Sequence, residues 1–206
     1  MCPYNRTLVA HLLRLGADPN LGPGCSGTYG HPLGTRLIPD SGSSLRGAVR
    51  QGSLECLTLL IQAGGNLAKA KLMHPAIESR DVTVIAHVLH LGADVDETDD
   101  LFKTGYPIYR TPLLRAIKLG DTDAVAFLLE NGANVMKAGY DGFTPLDIVK
   151  MECCGGRSPC RVGMHGRDIL PEIRDLIEKA VERARSLGVS TDGKQAPLLE
   201  GHETAE

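Results

Sequence analysis

The sequence predicts an all-α solenoid, a stack of short helix pairs with long finger-loop insertions. Three observations carry this. A Thr-Pro-Leu start recurs 33 residues apart, at Thr111 and Thr144. Three segments align: SSLRGAVRQGSLECLTLLIQAGGNL from Ser43, LMHPAIESRDVTVIAHVLHLGADVD from Leu72 and TPLLRAIKLGDTDAVAFLLENGANV from Thr111. Four glycines, Gly16, Gly64, Gly92 and Gly132, close successive blocks at spacings of 48, 28 and 40 residues. Blocks of constant length with variable connectors are how a stacked array takes insertions, because only the helices must meet their neighbours.

Composition agrees. The 206 residues hold 24 glycines, no tryptophan and 4% aromatics, which suits aliphatic helices joined by tight turns better than one large aromatic core. Lys plus Arg total 22 against 25 Asp plus Glu, a formal net charge of -3. A general nucleic-acid binder carries an excess of basic residues, so nucleic acid is not the expected partner. No apolar run is long enough to span a bilayer, and the first residues lack a basic lead-in and a cleavage site. Six cysteines are too few for a disulfide scaffold of this size. The expectation is a cytoplasmic chain with reduced thiols, no membrane contact and no cofactor.

Thr7–Arg14 reads as the second helix of a pair and ends at Gly16. Its first helix is missing, so either the chain begins inside a repeat or this edge docks another surface. Val9, Leu12 and Leu13 face the stack in this reading, and Leu8 and Leu15 remain partly exposed. The connector from Leu21 to Gly42 holds too many glycines and prolines for a helix, which makes it a finger loop. Its Tyr29, Leu33, Leu37 and Ile38 can fold back over the edge, which favours a monomer over a homodimer.

In the block from Thr111, Pro112 fits the first helical turn, where a missing N–H is harmless. Gly120-Asp121 makes the turn. Ala124, Val125, Leu128 and Leu129 form one apolar face, and Gly132 fits a left-handed C-cap. Neither helix is long enough to stand alone in water, so each must stack. The last block is split: one helix runs from Pro145 to about Glu152, the other from Asp168, its expected cap. Ile173, Leu176, Ile177 and Ala180 form the packed stripe of that final helix, with charged residues opposite. The tail from 188 to 206 lacks periodicity and reads as disordered.

Thr111-Pro112-Leu113, Thr144-Pro145-Leu146, Gly120, Leu128-Leu129 and Gly132-Ala133-Asn134-Val135 resemble ankyrin repeats. Gly92-Ala93-Asp94-Val95-Asp96 and Gly16-Ala17-Asp18-Pro19-Asn20 carry the same ending. The resemblance implies an ankyrin repeat domain over 1–187, with a partial first repeat and repeats near 43–68, 72–96, 111–137 and 144–187. It departs from the family where Leu114 and Asp147 replace the usual His, and where Ser43-Ser44-Leu45 replaces Thr-Pro-Leu. It implies a protein partner, unidentified, held on the concave face.

Groove positions on the first helices are expected at Arg50, Glu78, Lys118 and Lys150. The connector DETDDLFKTGYPIYR adds Asp99, Asp100, Tyr106, Ile108 and Tyr109, acids beside an aromatic cluster that can attract and then anchor a basic partner surface. A calcium loop is the weaker reading of those acids, since its glycine and closing Glu are out of register. A second class of function stays open. His74, Glu78 and Tyr109 could line a small-molecule or general acid/base pocket, although His74 stands at the family's usual structural His position. Cys153, Cys154, Cys160 and His165 admit three readings: a weak zinc site with poor spacing, a reactive thiol beside arginines, or an inert loop. No nucleotide-loop or metalloprotease motif occurs.

Overall fold

The structure, a computed structural model, describes residues 5–23, 37–38, 42–98, 111–139, 142–150 and 170–187. Helix α1 (Arg6–Arg14) stands first. Strands β1 (Gly22–Pro23) and β2 (Leu37–Ile38) pair antiparallel, Gly22 opposite Ile38, and draw the two ends of the first connector together. Then come α2 (Ser43–Arg50) with α3 (Leu54–Gln62), a one-turn α4 (Leu67–Ala70), α5 (Met73–Ser79) with α6 (Val82–His90), α7 (Pro112–Leu119) with α8 (Thr122–Glu130), and α9 (Pro145–Lys150) with α10 (Pro171–Ser186).

First helices stack on first helices: α2 on α5, α5 on α7, α7 on α9. Second helices form the other row, with α1 on α3, α6 on α8 and α8 on α10. Helix α1 therefore stands in the row of second helices. The core is one aliphatic column running through every pair, from Leu45, Val49 and Leu57 through Ile77, Ile85, Leu114 and Leu128 to Ile148 and Ile177. It is continuous because each amphipathic helix buries its stripe against two neighbours rather than one.

Four of the blocks end in the same local device. Gly16, Gly64, Gly92 and Gly132 all have φ between 86° and 93°. In each, the residue after the glycine donates its N–H back to a carbonyl in the helix: Ala17 to Leu12, Gly65 to Leu60, Ala93 to Val88 and Ala133 to Leu128. This is the Schellman arrangement, and it satisfies helix-end carbonyls that otherwise have no partner. At the shorter turn inside each pair, Gly52 and Gly120 are left-handed, and Arg80 takes the same conformation at φ 56°. A side chain there costs about 1–2 kcal/mol. Arg80 Nη2 donates to the Leu119 carbonyl at 3.3 Å, a contact glycine could not make.

The turns are also stapled to one another. Asp18, Asp94 and Asn134 accept the N–H two residues on, at 2.8–2.9 Å. The residue at that second position then reaches the next turn along the array: Asn66 N–H donates to Asn20 Oδ1 at 2.7 Å, and Asn134 N–H to the Asp96 carboxylate at 3.0 Å. Ala68 occupies the corresponding place between these two staples and has no such acceptor. There α4, capped by Asn66, fills the gap, and Glu97 takes over by accepting the Met73 N–H at 3.1 Å. Pro75 does not break α5, because it lies in the first turn, where its N–H is not required.

Burial raises the Asp96 pKa above its usual 3.8, against the Asn134 N–H and Lys137. A carboxyl with a raised folded pKa contributes stability that is present below 3.8 and lost as pH rises through the folded value. Asp96→Asn should therefore equal or exceed the native stability at neutral pH, as Asn20 shows that an amide serves at this position. Asp96→Ala strands the Asn134 N–H and should lose about 0.5–1.5 kcal/mol in urea unfolding. Equal stability of the Ala and Asn variants at pH 7 would refute the staple.

Two expectations change at the ends of the array. The last helix begins at Pro171, with Leu170 at the cap and no side-chain capping bond; Asp168 lies outside the described residues. Its packed stripe is Ile173, Ile177 and Val181, with Leu176 and Ala180 half-buried. On α1, Val9 and Leu13 pack partly on the core, but Leu12 is exposed together with Leu8 and Leu15, the last at 71%. Tyr29 and Leu33 lie outside the described residues. So does the 188–206 tail.

Candidate partner-binding face

The first-helix row carries the charged candidates. Counted from Ser43 in α2, Lys71 ahead of α5 and Thr111 ahead of α7, the residues Arg50, Glu78 and Lys118 occupy one register position. Neighbouring positions in that register are fully buried Val49, Ile77 and Ile117, so the backbone that anchors the core also sets this charged line. Lys150 is exposed but falls one position short of that register, counted from Thr144.

Stacking joins the line into an ion array. Arg50 Nε meets Glu78 Oε2 at 2.8 Å, and Arg115 Nη2 donates to Glu78 Oε1 at 2.5 Å. One carboxylate thus bridges three successive repeats, with one oxygen for each guanidinium. Arg115 Nε is buried and has no acceptor, so Glu78 supplies the pairing of that side chain. Lys118 lies one turn further along α7. Desolvation, and then the like charge of Arg115, pull its pKa below the usual lysine value. Arg50 and Arg115 therefore flank a single carboxylate.

Arg115 was not among the sequence candidates. Its signal was three-residue spacing from Lys118, which places both on one helix face. The reach to Glu78 spans 37 residues and is visible only after stacking.

His74 is buried at 5% exposure within α5. At the same register, Arg46 is also buried and donates Nη1 to the carbonyls of Ala70 and Lys71, at 3.3 and 3.4 Å. It ties α2 to the end of α4. Asp147, again at that register, accepts the Thr144 N–H at 2.9 Å while its own N–H bonds Thr144 Oγ1, a reciprocal cap on α9. Leu114 is simply core. Where the family usually has His, Arg46, Leu114 and Asp147 thus do three different local jobs.

Asp99, Asp100, Tyr106, Ile108 and Tyr109 lie outside the described residues, as do Cys153, Cys154, Cys160 and His165. Among the described residues no cluster of metal-ligating side chains occurs, and Cys56 is buried. A depression along α10 is lined by Asp175, Glu178, Lys179, Glu182 and Arg183, and includes neither His74 nor Glu78. No described helix is long and apolar enough to cross a membrane.

The ankyrin repeat family model matches residues 109–139. The chain is similar to the BTB/POZ domain and ankyrin repeat-containing protein COCH of Pisum sativum, 35% identical over 107 residues, 52% of this chain and 21% of that protein. It is 33% identical over 107 residues to the BTB/POZ domain and ankyrin repeat-containing protein NPR5 of Oryza sativa subsp. japonica, covering 52% of this chain and 20% of that protein. The same identity and length hold for the regulatory protein NPR5 of Arabidopsis thaliana, at 52% and 21%. The chain spans about a fifth of the length of these curated relatives. The matched segment contains the α7–α8 pair, whose glycine turn repeats that of the blocks before it; residues 109–139 thus carry an ankyrin repeat, and the chain is similar to ankyrin repeat-containing proteins.

Proposed function

We propose that the chain is a protein-docking module that takes its partner along the concave face formed by α2, α5, α7 and α9 and through the 99–110 connector. Ankyrin repeats are protein-interaction modules, and the relatives of Pisum sativum and Oryza sativa are named for a BTB/POZ domain together with such repeats. The observation that carries the reading is the Arg50–Glu78–Arg115 array. It places partly exposed, directional charge across three repeats on one row of helices, where it shapes specificity more than stability.

A photo-crosslinking residue placed at Arg50 or Lys118 should capture a recurrent partner band, whereas one at Thr58 or His90 on the second-helix row should not. Equal capture from both rows would overturn the reading. The competing pocket at His74, Glu78 and Tyr109 has Glu78 committed to two arginines and His74 buried. A metabolite that co-purifies reproducibly, with turnover lost in His74→Ala, would restore it.

A further inference from the structure

We propose that the leucine face of α1 is a second docking surface, and that its occupant is an amphipathic helix of a protein partner, with an aliphatic stripe and acidic flanks. This surface is separate from the concave face, because α1 stands in the other row of helices. Alignment on Gly16, Gly64, Gly92 and Gly132 sets Leu8 level with Cys56, Val84 and Ala124, and Leu12 level with Leu60, Val88 and Leu128. Those partners in register are all 5% exposed or less, whereas Leu8 is 54% and Leu12 45% exposed. The difference has a structural cause. Helices α3, α6 and α8 each pack on the first helix of their own block, α2, α5 or α7. Helix α1 packs on α3, with Val9 and Leu13 against the core, and has no paired first helix among the described residues. Its leucine face is thus a continuation of the core column that lacks the covering helix found in the other blocks.

The covering helices show what fits. Leu45, Ala48 and Val49 of α2 stand at the same positions as Leu113, Ala116 and Ile117 of α7, and all are at most 2% exposed. Both helices therefore present a leucine, an alanine three residues on and a β-branched residue four residues on, a single apolar stripe. An occupant that extends the core column meets Leu8 and Leu12 with such a stripe, which is helix-to-helix recognition in its ordinary form. Charge decides the flanks. Helix α1 has no acidic residue, and its Arg6, His11 and Arg14 are exposed. Arg6 already meets Glu55 of α3 at 3.6 Å, so a carboxylate on a neighbouring helix suits this one. A second copy would bring the same cations together across a two-fold axis, whereas acidic flanks complement Arg14.

The test titrates the full chain into a labelled helix-forming peptide that carries the Leu-x-x-Ala-Ile stripe with glutamates elsewhere, followed by fluorescence anisotropy. A version with lysines in place of the glutamates runs in parallel. The glutamate peptide should bind and slow amide hydrogen exchange in α1. Leu12→Gln should weaken it by about four- to tenfold, the effect of no longer burying half a leucine side chain. Arg14→Gln should weaken it by about two- to fivefold and reduce its salt dependence. Arg50→Gln, on the concave face, should leave it unchanged. Both α1 positions are exposed, so the variants should fold, and circular dichroism melting checks this. No binding of the glutamate peptide, binding indifferent to Leu12→Gln, or equal binding of the lysine peptide would overturn the proposal. A mass that doubles with concentration in light scattering, and no longer does so in Leu12→Gln, would also overturn it, by making a second copy the occupant.

Discussion

Ile77→Ala should lower the unfolding free energy by about 2–5 kcal/mol, the range for truncating a fully buried aliphatic side chain. Ile77 has no exposed surface. Its helix, α5, packs on α2, α6 and α7, so the cavity would open at the middle of the array. In a solenoid each pair is held by its neighbours alone, and a weakened central interface has no distant contact to compensate for it. The unfolding transition should therefore broaden as well as shift, because the two halves begin to unfold separately. Urea titration followed by circular dichroism measures both. Leu15→Ala is the matched control, since Leu15 is 71% exposed, and should change stability by less than about 0.5 kcal/mol. A loss below about 1 kcal/mol for Ile77→Ala would show that the central column is not tightly packed.

Gly42→Ala should be of comparable size for a different reason. Gly42 precedes α2 with φ 62°, a conformation that costs a side-chain-bearing residue about 1–2 kcal/mol. A Cβ there would also lie 2.5 Å from Ala70 Cα and 3.1 Å from its Cβ and N. These atoms belong to α4, largely backbone, and cannot rotate aside. Overpacking of that kind adds about 1–3 kcal/mol. Gly120→Ala separates the two contributions. Its φ is 66°, but a Cβ there meets nothing within 4 Å, so only the conformational cost applies. Gly42→Ala should therefore exceed Gly120→Ala by roughly the overpacking cost of about 1–3 kcal/mol. Equal losses would mean that α4 moves away freely and does not close the core beneath α2.

The sequence by itself determined the features whose causes are local. The four block-closing glycines are left-handed because a helix end needs a residue without a Cβ penalty one step past its last turn, and that need is written in adjacent residues. Thr111 caps α7 and Pro112 follows it for the same reason: both act within one turn. The buried stripe of α8, and Ile173 and Ile177 of α10, were legible because helical spacing places apolar residues on one face whatever lies opposite. Helix α4 was not legible. Four residues show no period, and the helix exists because Asn66 caps it and Ala70 packs against Gly42. The roles of Arg46 and Arg115 were also hidden, since their partners lie 24 and 37 residues away. Residue type said that Arg50, Glu78 and Lys118 were charged; only the stacking of α2, α5 and α7 decided that Glu78 would pair with Arg50 and Arg115. Ion pairing acts over a few ångströms in space, and in a solenoid that distance is set by how one repeat settles on the next rather than by separation along the chain.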